Sequence, residues 1–147
     1  AAPAIAGGQE VGPVYRFGGL GIGFFFADRR FTGDGVVEIW PTDNIEALRR
    51  LARDPRNIGN PSGRELYGLV RIMDRAARAA PRVTQPTLTL MGAKDDLLPV
   101  DRIERVHGRI AGAEAFRVYP NGWHWLFRDL QAAAVWSDVA EFALDER

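Results

Sequence analysis

The feature that most constrains this chain is a pair of short apolar runs with a helix-length segment between them. The runs are Thr87-Leu88-Thr89-Leu90-Met91 and Phe116-Arg117-Val118-Tyr119. Gly92 closes the first, and Pro120-Asn121-Gly122 stops the second, both strong breakers of regular structure. Between them Asp101 and Glu104 are placed to cap a helix whose apolar stripe is Ile103, Val106 and Ile110, ended by Gly112. Two strands joined by a helix of this length pair in parallel, through a right-handed crossover. The fold class is therefore α/β. Ligands of such sheets gather outside the carboxyl ends of the strands. Asp95 follows the first strand end and His124 the second, so both are expected at one edge of one sheet.

Upstream, Asp43 and Glu46 have capping-box spacing ahead of Ile45, Leu48 and Leu51, and Asp54-Pro55 ends that helix. Ser62 and Glu65 form a second capping box. Behind it Leu66, Leu69, Val70, Met73, Ala76 and Ala77 recur at helical spacing to about Ala80. Downstream, Leu130, Ala133, Ala134, Trp136, Val139, Ala140 and Phe142 predict a closing helix from about Asp129 to Leu144. Residues 1–42 are broken up by glycines, with extended apolar runs at Phe24-Phe25-Phe26 and Val36–Trp40. Gly18 to Gly23 do not fit the spacing of a dinucleotide-binding loop and have no clear strand before them.

Composition closes off several functions. Nineteen basic residues balance nineteen acidic ones, which leaves no electrostatic footprint for nucleic acid or an anionic membrane. The arginines at 49, 50, 53 and 56 read as a solvated helix face. There is no cysteine, hence no thiolate nucleophile, disulfide or cysteine-ligated metal. His107 and His124 are the only histidines, too few for a histidine-rich metal site, and no cofactor is expected. No run approaches the roughly 20 apolar residues of a membrane span. The opening Ala1-Ala2-Pro3-Ala4 lacks an initiator Met. It fits either a removed signal peptide or a cut within a longer chain, so the compartment stays open.

An acid and a histidine on neighbouring strand-end loops can form a hydrogen-bonded pair, in which the carboxylate fixes the imidazole tautomer. Two plainer readings stand beside it. His124 lies between Trp123 and Trp125, where a packed histidine is ordinary. Asp95 and Asp96 are both candidates, and either also suits a turn.

Pro86 to Pro99, with Gly92, Asp95 and Pro99 in the pattern Gly-x-x-Asp-x-x-x-Pro, resembles the acid loop of α/β-hydrolases. The nearest group is the lysophospholipase and monoacylglycerol-lipase-like, serine aminopeptidase S33-type branch. Tyr119 to Asp129, with Gly122-Trp123-His124 and then apolar residues before Asp129, is similar to that branch's histidine loop. Val135 to Val139 resembles its closing helix, and Asp43 to Asp74 its cap helices. The resemblance implies Asp95 as catalytic acid, ahead of Asp96, and His124 as base. Asp129 is expected as a structural partner in the histidine loop or a cap for the last helix. It also implies an organisation: an unassigned Gly-rich segment at 1–42, cap-like helices at 43–80, and the C-terminal hydrolase core segment at 81–147.

The branch's nucleophile belongs to Gly-x-Ser-x-Gly on a strand-to-helix turn, beside backbone oxyanion donors. The chain has two serines. Ser62, in Asn60-Pro61-Ser62-Gly63-Arg64, reads as a helix cap, and Ser137 falls within the closing helix. The expectation is the C-terminal portion of an α/β-hydrolase, with the central strands and nucleophile elbow missing. Its substrate would be an ester or lipid-like small molecule, and a second chain or N-terminal half would supply the serine. Alone it should be inactive. The alternative is a hydrolase-derived module that binds a partner or ligand without catalysis. Phe24-Phe25-Phe26 has two readings, core packing or the lining of an acyl site.

Overall fold

The structure, a computed structural model, describes residues 27–30, 40–57 and 59–145. The glycines at 18–23 and the extended runs expected at 24–26 and 36–39 lie outside them. The chain divides into two compact units, Ala1–Glu38 with Ile58–Pro81, and Ile39–Asn57 with Arg82–Arg147.

In the first unit, helix α2 runs Gly63–Ala79. Ser62 opens it with the expected capping box: its hydroxyl accepts the Glu65 N–H, and the Glu65 carboxylate accepts the Ser62 N–H at 2.6 Å. The Gly63 and Arg64 amides, two of the donors a helix start leaves unpaired, reach the carbonyls of Arg29 and Ala27. A 3₁₀ turn, Ala80–Arg82, follows α2.

The second unit carries helix α1, Ile45–Arg53, strand β1, Thr87–Gly92, and helix α3, Val100–His107. Strand β2, Ala113–Tyr119, and helix α4, Ala132–Asp145, complete it. The two helices expected as a cap, α1 and α2, thus belong to different units. Strands β1 and β2 pair in parallel, with Leu90 opposite Arg117 and Gly92 opposite Tyr119. This is the βαβ unit the sequence pattern implies.

Side chains of a strand alternate between faces, and the contacts follow that rule. Thr89 Oγ1 lies 2.9 Å from His107 Nδ1, and Phe116 meets the same imidazole at 5.3 Å between ring centres. That face is therefore covered by α3. Arg117 and Tyr119 reach Asp138 of α4, at 2.7 and 2.5 Å, so α4 covers the other. Met91, Ile103, Val106, Ile110, Leu126, Ala132 and Val135 are the buried apolar residues described in this unit, with Val106 and Val135 fully enclosed.

Three boundaries differ from expectation. Helix α1 is capped by Asn44, whose side chain accepts the Ala47 N–H. Asp43 instead receives the Leu130 N–H at 2.9 Å. Helix α3 starts one residue before Asp101, after Pro99 and with no side-chain cap, and its C-cap is Gly108. Asp101 lies in its first turn and pairs with Arg105. Strand β2 begins at Ala113, where Thr87 of β1 lies alongside and overrides the weak strand preference of alanine.

The end of β1 runs close against the loop that follows β2. A Cβ on Gly92 would lie 2.5 Å from the Gly122 carbonyl carbon and 2.6 Å from the Trp123 oxygen. G92A should therefore lower stability by about 1–3 kcal/mol, the usual cost of overpacking. Gly68, inside α2 with open space where its Cβ would be, supplies the contrast. G68A should gain about 0.5–1 kcal/mol. Urea unfolding of both variants checks the pair, and equal effects would contradict the packing at Gly92.

Candidate active site

Both loops leave the sheet as continuations of it. The Ala93 N–H reaches the Tyr119 carbonyl, and the Lys94 N–H reaches that of Gly122, each at 2.9 Å. The Lys94 ammonium lies 5.6 Å from the centre of the Trp123 ring. Leu126, buried, packs where a side chain on Gly122 would be. The loops after β1 and β2 are thus joined by backbone as well as by the side chains that follow.

Asp95 and His124 meet across this junction. His124 Nδ1 lies 2.9 Å from Asp95 Oδ2. The other carboxylate oxygen accepts the backbone N–H groups of Leu97 and Leu98, at 2.8 and 3.0 Å. The Asp95 side chain is 4% exposed and the His124 side chain 22%. An ionised carboxylate only accepts hydrogen bonds, so Nδ1 carries the hydrogen. In the neutral ring Nε2 then holds the lone pair, which is the tautomer a general base requires.

Burial by itself would raise the Asp95 pKa. The hydrogen bond from His124, the Leu98 and Leu97 amides and the attraction of the imidazole outweigh it, and the carboxyl stays below the usual aspartate value. Asp96 is exposed at the turn, and the imidazole bonds Asp95, so the acid–base contact selects the first of the two aspartates.

Asp129, expected as a structural partner in the histidine loop, bonds within it, and the structure adds Thr42, which the sequence pattern does not single out. Asp129 is 3% exposed, and its carboxylate accepts the Trp123 N–H at 2.8 Å and the Thr42 hydroxyl at 2.6 Å. Thr42 is 1% exposed and 87 positions away in sequence. Only the Asx-turn habit of aspartate offered a sequence signal for the Leu97 and Leu98 donors; for Thr42 there was none. Ser62 is committed to its helix cap and Ser137 sits within α4. A groove of about 490 Å³, lined among others by Asn44, Arg50, Arg128 and Trp136, includes neither Asp95 nor His124 in its wall. Among the described residues, no group of three or more His, Asp or Glu side chains is placed to hold a metal ion. No described helix is long and apolar enough to cross a membrane.

The sequence pattern of one family, described as "Serine aminopeptidase, S33", matches residues 1–131. The chain belongs to that family. A similar fold is found in the monoacylglycerol lipase of Paleococcus ferrophilus, with a TM-score of 0.77 at 18% identity. That match covers 98% of this chain and 56% of the lipase. A soluble variant of monoglyceride lipase from Saccharomyces cerevisiae, solved with a substrate analog, gives a TM-score of 0.68 at 16% identity. There the match covers 95% of this chain and 51% of that one. At these identities the likeness is one of fold, and this S33-family chain spans about half the length of either lipase.

The lowered Asp95 pKa gives a signed pH dependence. A carboxyl whose folded pKa is depressed binds protons more weakly in the native state. Its contribution is then fully present above the unfolded value, roughly 3.9 for aspartate, and is lost as pH falls through the lower folded value. D95N should accordingly destabilise the chain at pH 7, and the gap from wild type should narrow as the pH drops below about 4. Urea midpoints measured across that range check the sign. A gap that widens in acid would contradict it.

Proposed function

We propose that this chain supplies the acid, Asp95, and the base, His124, of a serine carboxylester hydrolase of the lysophospholipase and monoacylglycerol-lipase kind. The nucleophilic serine comes from outside these 147 residues. One observation carries the reading: the 2.9 Å bond between His124 Nδ1 and Asp95 Oδ2, formed at the adjoining carboxyl ends of two parallel strands. The S33 family match supports it, as do the lipase names of the two structures with a similar fold.

In this mechanism the serine hydroxyl attacks the ester carbonyl while its proton passes to His124 Nε2. Asp95, ionised, stabilises the imidazolium that forms. The tetrahedral intermediate collapses as His124 returns the proton to the departing alcohol, leaving an acyl-serine. Water then attacks that ester, giving its proton to His124. The proton returns to the serine oxygen as the fatty acid leaves. In the same reading α1 and α2 are cap-like helices. Leu69 and Ile72 of α2, each more than half exposed, are apolar surface suited to an acyl chain. A parallel pair of strands is ordinarily part of a larger sheet covered on both faces, which fits a second half that brings the elbow.

The second reading, a hydrolase-derived binding module without catalysis, is favoured by the commitment of both serines to helices. A fluorophosphonate probe with mass spectrometry separates the two. The isolated chain should remain unlabelled at Ser62 and Ser137. A protein or complex that adds a Gly-x-Ser-x-Gly segment should label there, and D95N or H124A should cut its monoacylglycerol hydrolysis by about 10⁴-fold or more. Label on either serine of the isolated chain overturns the assignment of the nucleophile to another segment. Full activity in H124A overturns the role of His124 as base.

A further inference from the structure

The bond between Asp95 and His124 explains the ring's partner but not what holds the ring's own backbone in place. Asp95 is fixed by two amides of its own loop. His124 sits in a stretch with no helix or strand, Asn121 to Leu130, where the backbone would otherwise be free to turn the imidazole away. The residues on either side of it share one partner. Asp129 takes the Trp123 N–H on its carboxylate at 2.8 Å, and its own N–H reaches the Trp125 carbonyl at 3.0 Å.

That carboxylate is itself held. Thr42 donates its hydroxyl at 2.6 Å to the oxygen that does not face Trp123, and accepts the Asn44 N–H at 3.2 Å. The neighbours of Thr42 repeat the attachment. The Trp125 N–H reaches the Pro41 carbonyl at 2.8 Å, Asp43 takes the Leu130 N–H, and the Asn44 amide reaches the Arg128 carbonyl at 2.8 Å. Four consecutive residues, 41–44, are thus bonded to the histidine loop.

A buried carboxyl is costly unless partners meet its oxygens, and the partners here are a backbone amide next to His124 and a buried hydroxyl. We propose that Asp129, locked by Thr42, is a positioning residue that fixes the backbone on both sides of His124 and so aims its ring at Asp95. The inference rests on the acid–base reading above and adds a residue to it. Asparagine can preserve the arrangement: its oxygen can accept from Trp123 while its amide donates to Thr42 Oγ1. Alanine can do neither.

The two histidines make a clean test, because His107 is held separately by Thr89. In nitrogen-15 spectra of the histidine-labelled chain, D129A should abolish the hydrogen-bonded Nδ1–H signal of His124 and leave His107 unchanged. D129N should restore it, and T42V should broaden it. A structural role alone would lower the melting temperature of D129A yet leave the His124 signal in place, and that result overturns the proposal. Should D129A unfold the chain, with both histidine signals lost, T42V decides. His124 broadened beside an intact His107 supports the proposal, and two unchanged histidines overturn it. D95N, measured alongside, must also abolish the His124 signal. If it does not, the acid–base reading fails; if it does while D129A and T42V have no effect, only the role of Asp129 fails.

Discussion

The candidate site depends on the close approach of two backbones at Gly92 and Gly122. Gly92 ends β1 and Gly122 lies in the loop three residues after β2, and a Cβ on Gly92 would overlap the Gly122 carbonyl. That proximity lets the Lys94 N–H reach the Gly122 carbonyl, so sheet-like bonding runs on into both loops. Asp95 lies three residues beyond the first glycine and His124 two beyond the second. The junction therefore fixes where the two loops start, and the course of the histidine loop beyond Gly122 is held by its own bonds to Asp129 and residues 41–44. A loop pair without this junction would have to order each side chain separately, against about 1–2 kcal/mol of backbone entropy per residue.

How much of this was legible in the sequence follows from the range of each interaction. The parallel strand pair and the Ser62 capping box rest on local patterns, and the structure shows both; it also brings Asp95 and His124 within hydrogen-bond distance. The start of α1 was displaced by one residue because Asp43 is drawn to Leu130, 87 positions away, which no local pattern records. The start of β2 was placed late for a related reason. Ala113 and Ala115 have little strand preference of their own, and their pairing comes from Thr87 and Leu88 alongside. Thr42 carries no sequence signal, because a buried threonine on a carboxylate looks like any threonine until its partner is known.

The two buried aspartates of the site illustrate how one residue type takes different tasks. Asp95 and Asp129 are similarly enclosed, and each is met by donors on both carboxylate oxygens. Two of the three donors to Asp95 are amides of its own turn, so the carboxylate is oriented whether or not the imidazole is in place. Its remaining oxygen faces a ring that can change protonation state. Asp129 faces only groups that do not titrate near neutral pH, a hydroxyl and a backbone amide. The first arrangement suits a group that must respond to a proton arriving on its partner. The second suits a fixed strut.

This division bears on how a triad can be shared between segments of a protein. Among the described residues, the contacts that orient Asp95 and His124 come from residues 41–44 and 92–130, all within one compact unit. Asp95 and His124 therefore meet through contacts of this unit. In the proposed reading, what an elbow would contribute is a hydroxyl within reach of Nε2 and donors for the oxyanion, the part of catalysis that depends on a strained turn between a strand and a helix. An arrangement in which two groups are set before the third arrives lowers the ordering cost of the last step.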